Sequence, residues 1–198
     1  MTAIMVFMIY SCKGSDDYQP IDAEKVPVQI VKDVSITQSE KGSATMRMKA
    51  PTMKRYSYVK DSVQVGYEYY PDGFNVFAYT EAGELETKIT AKEAKHVTTV
   101  GQESWSVFGD VVIINYIKGE QMESDTIYWN QEEKKIYTNC YVKLSSEQGM
   151  MQGYGMESDE MARNAIIKRP FDSYSVMQDS THFYMDSVNF IGPLMQRF

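Results

Sequence analysis

Residues 44–50 read ATMRMKA and residues 85–91 read LETKITA, and these two stretches decide the fold class. In each stretch small or apolar residues occupy every second position, and charged or hydroxyl-bearing residues stand between them. Successive side chains of a β-strand point to opposite faces of a sheet, so a period of two predicts strands with one buried and one solvated face.

Turn signals separate similar stretches along the rest of the chain. Pro71-Asp72-Gly73 joins a predicted strand at 65–69 to another at 74–79, because proline presets φ and glycine tolerates a positive φ. Further turns are predicted at 82–84, 118–120, 130–133 and 147–149. Strands that recur about every ten residues are typical of a sandwich or barrel, and the chain is therefore predicted to be all-β. Residues 160–169 are the one stretch that allows a short helix.

A weak internal repeat accompanies the strand pattern. Four segments resemble one another, at residues 46–53, 87–94, 122–129 and 152–159, and each places an alternating strand before a polar corner. Repeated hairpins of this kind stack by backbone pairing into an elongated sheet.

The N-terminus has the features of a lipoprotein signal. Residues 3–10 are apolar (AIMVFMIY), but a helix that spans a bilayer needs about 20 apolar residues. The tetrad at residues 9–12 (IYSC) resembles a bacterial lipobox, so residues 1–11 are predicted to be a signal peptide and Cys12 the acylated first residue of the mature protein. Residues 12–25 would then form a polar tether. The alternative is an uncleaved hydrophobic stub.

Composition excludes one large class of partner. The net charge is −7 and the pI is about 4.9, and the longest basic runs are pairs such as Lys54-Arg55. Binding to nucleic-acid phosphates needs clustered basic side chains, so no nucleic-acid partner is expected.

The residue pattern gives little support for catalysis. His96 and His182 are far apart in sequence and lack the neighbours of a zinc site, and Gly153-Tyr154-Gly155 lacks the rest of a phosphate-binding loop. No nucleophile-elbow motif occurs. We therefore predict a non-enzymatic protein with no catalytic residues, no metal and no cofactor. Cys140 lies alone in a strand-like stretch and is expected to be a buried free thiol, with a disulfide to Cys12 as the alternative.

The second half of the chain resembles a known family. The motifs are, in order, ITAKEA (89–94), WSVFGDVVI (105–113), MESDTIYWN (122–130), KIYT (135–138) and QGYGME (152–157). This order resembles the LptC family and, more loosely, the related LptA/OstA domains, with their G-x-V strand, L-x-W strand end and closing G-x-G. The resemblance covers residues 26–171 as one β domain and leaves 172–198 as a C-terminal tail. The lipobox departs from the single transmembrane helix of the best-known members.

This resemblance implies both a fold and a function. The family fold is an open, folded-over antiparallel sheet, a β-taco or OstA-like jelly roll, whose apolar interior holds acyl chains. The implied function is lipopolysaccharide transport in the periplasm, at a membrane, here through a lipid anchor that most simply lies in the inner membrane. The protein would receive lipopolysaccharide from an inner-membrane ABC transporter and pass it to an LptA-like bridge protein.

Two sets of site residues follow from the family pattern. Strand alternation, with the family's inward face, predicts a lipid-binding groove formed by Met46, Met48, Phe74, Val76, Ile89, Val107, Val111, Ile113, Met122, Ile127, Ile136, Val142 and Met156. Partner-binding edges are predicted at residues 28–36, with Val28, Ile30 and Val34, and at residues 150–156, with Gly153 and Gly155. For the two glycines a bulge or corner is the alternative.

Two other functions fit an anchored β-protein. One is a lipoprotein β-sandwich that binds glycan or protein through exposed aromatic residues such as Trp105, Trp129 and Tyr69-Tyr70. The other is an assembly scaffold with a dry core.

Overall fold

The computed structural model describes residues 22, 24–99, 102–176 and 182–185, and within these residues the chain contains strands and turns but no helix. The twelve strands are β1 (Gln29–Glu40), β2 (Ser43–Lys60), β3 (Val63–Tyr70), β4 (Phe74–Tyr79), β5 (Leu85–Ala91), β6 (Glu93–Thr99), β7 (Gln102–Asn115), β8 (Glu120–Asn130), β9 (Lys135–Ser146), β10 (Gly149–Asp159), β11 (Ile166–Val176) and β12 (His182–Met185). The predicted turns lie at the junctions of consecutive strands.

All twelve strands form one antiparallel sheet, in the order β12-β11-β10-β9-β8-β7-β5-β4-β2-β3-β6, with β1 paired to β2. Strands β2 and β7 are long enough for each to pair with two strands along one edge. Strand β2 pairs with β3 and β4, and β7 pairs with β5 and β6. The sheet therefore has two leaves. The first leaf contains β4 and β5, the second contains β3 and β6, and the long strands contribute one arm to each.

A line of bends separates the leaves. Pro71-Asp72-Gly73 lies between β3 and β4, and Lys92 separates β5 from β6. In β7, Gly109 and Asp110 have φ values of 77° and 49°, and in β10 Gly155 has a φ of 77°. The register of β7 with β8 and of β9 with β10 is interrupted at these points. Bulges bend a strand and increase its twist, so a row of them folds the sheet along a line.

Contacts between distant strands show that the leaves face each other. The Thr87 hydroxyl on β5 donates a hydrogen bond of 3.0 Å to the Met161 carbonyl in the β10–β11 turn. Strands β7, β8 and β9 lie between these two elements in the sheet, so only a folded-over sheet can bring them together. The predicted all-β, folded-over antiparallel sheet is confirmed.

The inner face is continuous from strand to strand. Met48, Val76, Ile89, Ile113 and Met122 are successive cross-strand partners on five neighbouring strands. Direct partners share one face of a sheet, so the alternation seen in the sequence becomes one apolar surface. The buried residues form two clusters: one is centred on β7 to β11, and the other is on β1 to β4 and β6.

Three expectations need correction. Residues 160–169 form a turn and the start of β11 instead of a helix, and β11 continues past the expected domain end at residue 171. Cys140 is half-buried and carries a free thiol, whereas a buried one was expected, and Cys12 lies outside the described residues. Within the described residues, no helix is long and apolar enough to span a bilayer.

Candidate functional site

An apolar cavity of about 160 Å³ lies between the two leaves. Most of its wall is apolar, and the polar lining residues Gln38, Thr87, Gln131 and Glu160 all lie in or beside turns. Those turns form the lips of the folded sheet, opposite the line of bends. The cavity is thus apolar in its interior and polar at its rim, as an amphipathic ligand requires.

The two leaves supply the wall through paired strands. On the first leaf, Met46 lies opposite Ala78, and Met48 lies opposite Ile36 on one side and Val76 on the other. On the second leaf, Val107 pairs with Ile127, and Trp105, Trp129 and Ile136 are successive partners. Because the pairs share a face, each leaf presents a patch of apolar side chains to the other.

The predicted groove residues fall into two groups. Eight of them line the cavity: Met46, Met48, Phe74, Val76, Ile89, Val107, Ile127 and Ile136. The other five, Val111, Ile113, Met122, Val142 and Met156, are fully buried in the packed cluster centred on β7 to β11. All thirteen therefore lie inside the fold, but the space for a ligand is confined to the part nearer β1.

The opposite face carries the residues predicted to point outward. Arg47 and Lys88 are both cross-strand partners of Phe77, and the Lys88 ammonium lies 5.9 Å from the centre of the Phe77 ring. Phe77 thus lies on the outer face, a position that the sequence alone did not settle.

Sequence reasoning missed half of the lining residues. Ile36 and Ala78 are direct partners of Met48 and Met46, so a correct strand register would have revealed them. Trp105 and Trp129 also line the cavity, whereas the surface-binding alternative requires them as exposed platforms. Gln131 and Glu160 belong to turns, where no periodic pattern signals an inward position.

Trp105 is the centre of the aromatic wall. Its ring lies 5.6 Å from the ring of Phe74 and 5.9 Å from that of Tyr70, and it stacks on His96 at 4.1 Å with an interplanar angle of 9°. Side chains held on several sides occupy one rotamer, so this part of the wall is preformed.

A hydrogen-bonded carboxylate lies beside that wall, on the same face of the second leaf. Glu68 accepts a hydrogen bond of 2.6 Å from Arg55 and one of 3.0 Å from the Tyr70 hydroxyl, and His96 Nδ1 lies 3.4 Å from the same carboxylate. The contact with His96, followed by those with Arg55 and Tyr70, lowers the pKa of Glu68 from 4.5 to about 2, against the opposing effect of burial. Burial, with Glu68 beside it, raises the pKa of Tyr70. Glu68 is therefore an ionised carboxylate whose oxygens are occupied by donors.

The predicted partner edges have different outcomes. Val28, Ile30 and Val34 lie in or directly before β1, which pairs only with β2 within the described residues. Val28 and Ile30 are exposed, whereas Val34 packs into the core. The prediction of an edge at 150–156 is wrong, because β10 pairs with β9 on one side and with β11 on the other.

The two glycines of β10 serve the sheet itself. A Cβ atom at Gly153 would lie 2.3 Å from the Arg169 carbonyl oxygen, so this position needs glycine for close backbone approach. Gly155 has a positive φ and forms part of the line of bends. The bulge or corner therefore fits Gly155, whereas Gly153 allows a close backbone approach between β10 and β11 inside the sheet and not at an edge.

Comparison with known proteins yields a family match. A family model described as lipopolysaccharide-assembly, LptC-related matches residues 1–169. No curated protein matches the chain. Among the described residues, no group of three histidine, cysteine, aspartate or glutamate side chains could hold a metal ion.

Proposed function

The chain belongs to the LptC family, and we propose that it carries lipopolysaccharide by holding its acyl chains in the cavity between the two leaves. Members of the family take part in lipopolysaccharide transport in the periplasm as transport components and not as known enzymes.

The observation that carries the proposal is the apolar cavity with a polar rim. Each methylene group that enters such a space contributes about 0.8 kcal/mol. Acyl chains can thus bind without any specific contact, and the amide and carboxylate groups at the lips can meet sugar hydroxyl groups of the headgroup. A non-directional attraction of this kind also lets a similar groove in another protein compete for the same lipid.

We propose that partner proteins join the two ends of the sheet. Strand β1 has an unpaired edge within the described residues, and an exposed edge is a template for another strand. By resemblance to the family, this edge would pair with an inner-membrane transporter subunit. An LptA-like protein would bind at the other end, where β12 pairs only with β11 in the part of the chain described.

We also propose that Cys12 is acylated and holds the domain at a membrane, most simply the inner membrane. The apolar run that ends at Ser11-Cys12 and the polar stretch after it support this proposal. Intact-mass measurement of protein extracted from membranes tests it. A mass that retains Met1 and an unmodified thiol would contradict the anchor without affecting the cavity.

Site-specific crosslinking tests the lipid proposal. A photo-reactive residue at Met48, Val76 or Ile127 should capture lipopolysaccharide, whereas one at Arg47 or Lys88 on the outer face should not. Mass spectrometry of lipids extracted from the purified protein provides an independent measurement. Crosslinks confined to the outer face, with no co-purified lipid, would refute the proposal.

The surface-binding alternative receives less support. It needed Trp105, Trp129 and Tyr70 as exposed platforms, but both tryptophans line the cavity and Tyr70 is fully buried. Quenching of tryptophan fluorescence by lipopolysaccharide, and not by soluble glycans, is the result expected for the cavity.

A further inference from the structure

The turn between β10 and β11 closes one part of the cleft between the leaves. We define residues 159–165 as the clasp. Its conformation is fixed locally, because the Asp159 carboxylate accepts hydrogen bonds from the Arg163 backbone N–H at 2.8 Å and from that of Met161 at 3.2 Å. Ala162, at the tip, has a positive φ of 55° and is buried in the packed cluster.

The clasp is joined to the opposite lip by a two-point ion pair. Arg163 Nε and Nη2 lie 2.6 and 2.9 Å from the two carboxylate oxygens of Glu86 on β5. The Glu86 side chain is only 6% exposed, whereas that of Arg163 is 50% exposed. Thr87 donates to the Met161 carbonyl, and the Lys118 ammonium donates to the Arg163 carbonyl. Within the described ranges, the hydrogen bonds that join the two lips all involve the clasp.

A bulge explains how Glu86 reaches this position. The alternation in residues 85–91 places Glu86 on the outer face, but the pairing of β4 with β5 shifts by one residue between Ala78 and Tyr79. Glu86 and Thr87 are consequently both buried. A buried carboxylate requires a partner, and Arg163 supplies it from the other leaf.

The clasp lies between the cavity and the packed core. Thr87 and Glu160, one at each side of the lip contact, line the cavity. Ala162 instead packs with Val111, Met156 and their neighbours, where the residues are close-packed. An acyl chain in the cavity therefore meets the clasp at one end and cannot continue toward β11 while the lips are joined.

We propose that the clasp is the closed end of the acyl-chain cavity, and that Glu86 and Arg163 are positioning residues that set both the length of chain accepted and the rate of its release. This inference rests on the proposed function. Acyl chains would enter toward the β1 side, where no side-chain hydrogen bond joins the lips within the described residues, and onward movement would require the Glu86–Arg163 pair to separate.

The test compares two single substitutions in the β10–β11 hairpin of the full chain, each of which removes one basic side chain. Arg163→Met removes the contact across the lips, whereas Lys168→Met removes the exposed Lys168–Glu157 ion pair, which joins β10 to β11 on one leaf. Displacement of bound cis-parinarate by laurate and by stearate measures the preference for chain length. Stopped-flow transfer of cis-parinarate to excess serum albumin measures the release rate.

Arg163→Met is expected to release the probe about 5- to 30-fold faster, the factor that one or two kcal/mol of lost closure gives. It should also gain affinity for stearate relative to laurate, a change that a loss of general stability would not produce. Lys168→Met should match the wild type in both measurements. The double variant Glu86→Arg with Arg163→Glu, which exchanges the two charges, should restore slow release. If Arg163→Met does not fold, Arg163→Lys replaces it in the same measurements, because it keeps the charge and loses one hydrogen bond.

The outcomes separate the two proposals. If the wild type binds no acyl probe, the proposed function fails. If it binds the probe and Arg163→Met keeps the wild-type release rate and chain-length preference, the clasp inference fails and the proposed function stands.

Discussion

Replacement of Gly153 by alanine tests whether β10 is an internal strand. A Cβ atom at this position would lie 2.3 Å from the Arg169 carbonyl oxygen and 2.6 Å from Ile167 Cγ2. Real Cβ contacts are essentially never shorter than 3.0 Å, so β10 and β11 would have to separate by roughly 0.7 Å, from 2.3 Å to 3.0 Å. A backbone carbonyl in a paired strand cannot rotate away, and the ladder must distort.

The expected cost is about 2–3 kcal/mol, the upper part of the range for overpacking. For a chain of this size such a loss lowers the Tm by about 4–12 °C. Differential scanning calorimetry measures it, and Gly66→Ala is the matched control. Gly66 is also a strand glycine without a positive φ, but its Cβ would meet only the Thr98 hydroxyl at 2.8 Å, which a change of rotamer can relieve.

An edge position would give a different result. If β10 were a free edge, Gly153→Ala would be as stable as Gly66→Ala and would fail only in capture of a partner protein. Equal Tm values for the two variants would therefore refute the internal placement of β10. We expect Gly153→Ala instead to lose lipid binding and partner capture together, in proportion to its unfolded fraction.

Two further predictions concern stability. Because the pKa of Glu68 is lowered from 4.5 to about 2, its ionised form contributes stability that is complete above pH 4.5 and is lost as the pH falls through about 2. Over this pH range the free energy of unfolding, measured with urea, should fall less in Glu68→Gln than in the wild type. An equal fall with pH in the two proteins would contradict the network. Val142 is fully buried in the packed core, so Val142→Ala should cost about 2–3 kcal/mol. Val76 borders an existing cavity, so Val76→Ala should cost about 1 kcal/mol or less and act mainly on lipid affinity. If urea unfolding showed a larger loss of stability in Val76→Ala than in Val142→Ala, the cavity would be misplaced.

The sequence predicted the inner face well because strand alternation is a local property. Each of the thirteen predicted groove residues lies inside the fold, because a period of two needs no knowledge of the partner strand and the family resemblance supplied the choice of inward face. The turns were predictable for a similar reason, because Pro71 and Gly73 impose their backbone preferences without help from distant residues.

The division of that face into cavity and core could not be predicted locally. Val76 and Val142 have the same residue type and the same place in an alternating strand, yet one lines the cavity and the other is fully buried. The difference depends on which side chains the opposite leaf supplies, and that depends on the fold. The edge assignment failed for the same reason, since nothing in residues 150–156 reveals that β11 follows and pairs with them.

A polar row adjoins the aromatic wall of the cavity on the second leaf. Arg55, Glu68 and His96 occupy the positions that continue the row of Trp105 and Ile136 across neighbouring strands. Glu68 is bound by Arg55 within that leaf and contacts His96 there. Buried polar groups must keep such partners, so this network keeps the His96 ring stacked on Trp105 and fixes that end of the cavity wall. From β7 to β11 both leaves contribute aliphatic side chains instead, and there the gap closes into a packed core.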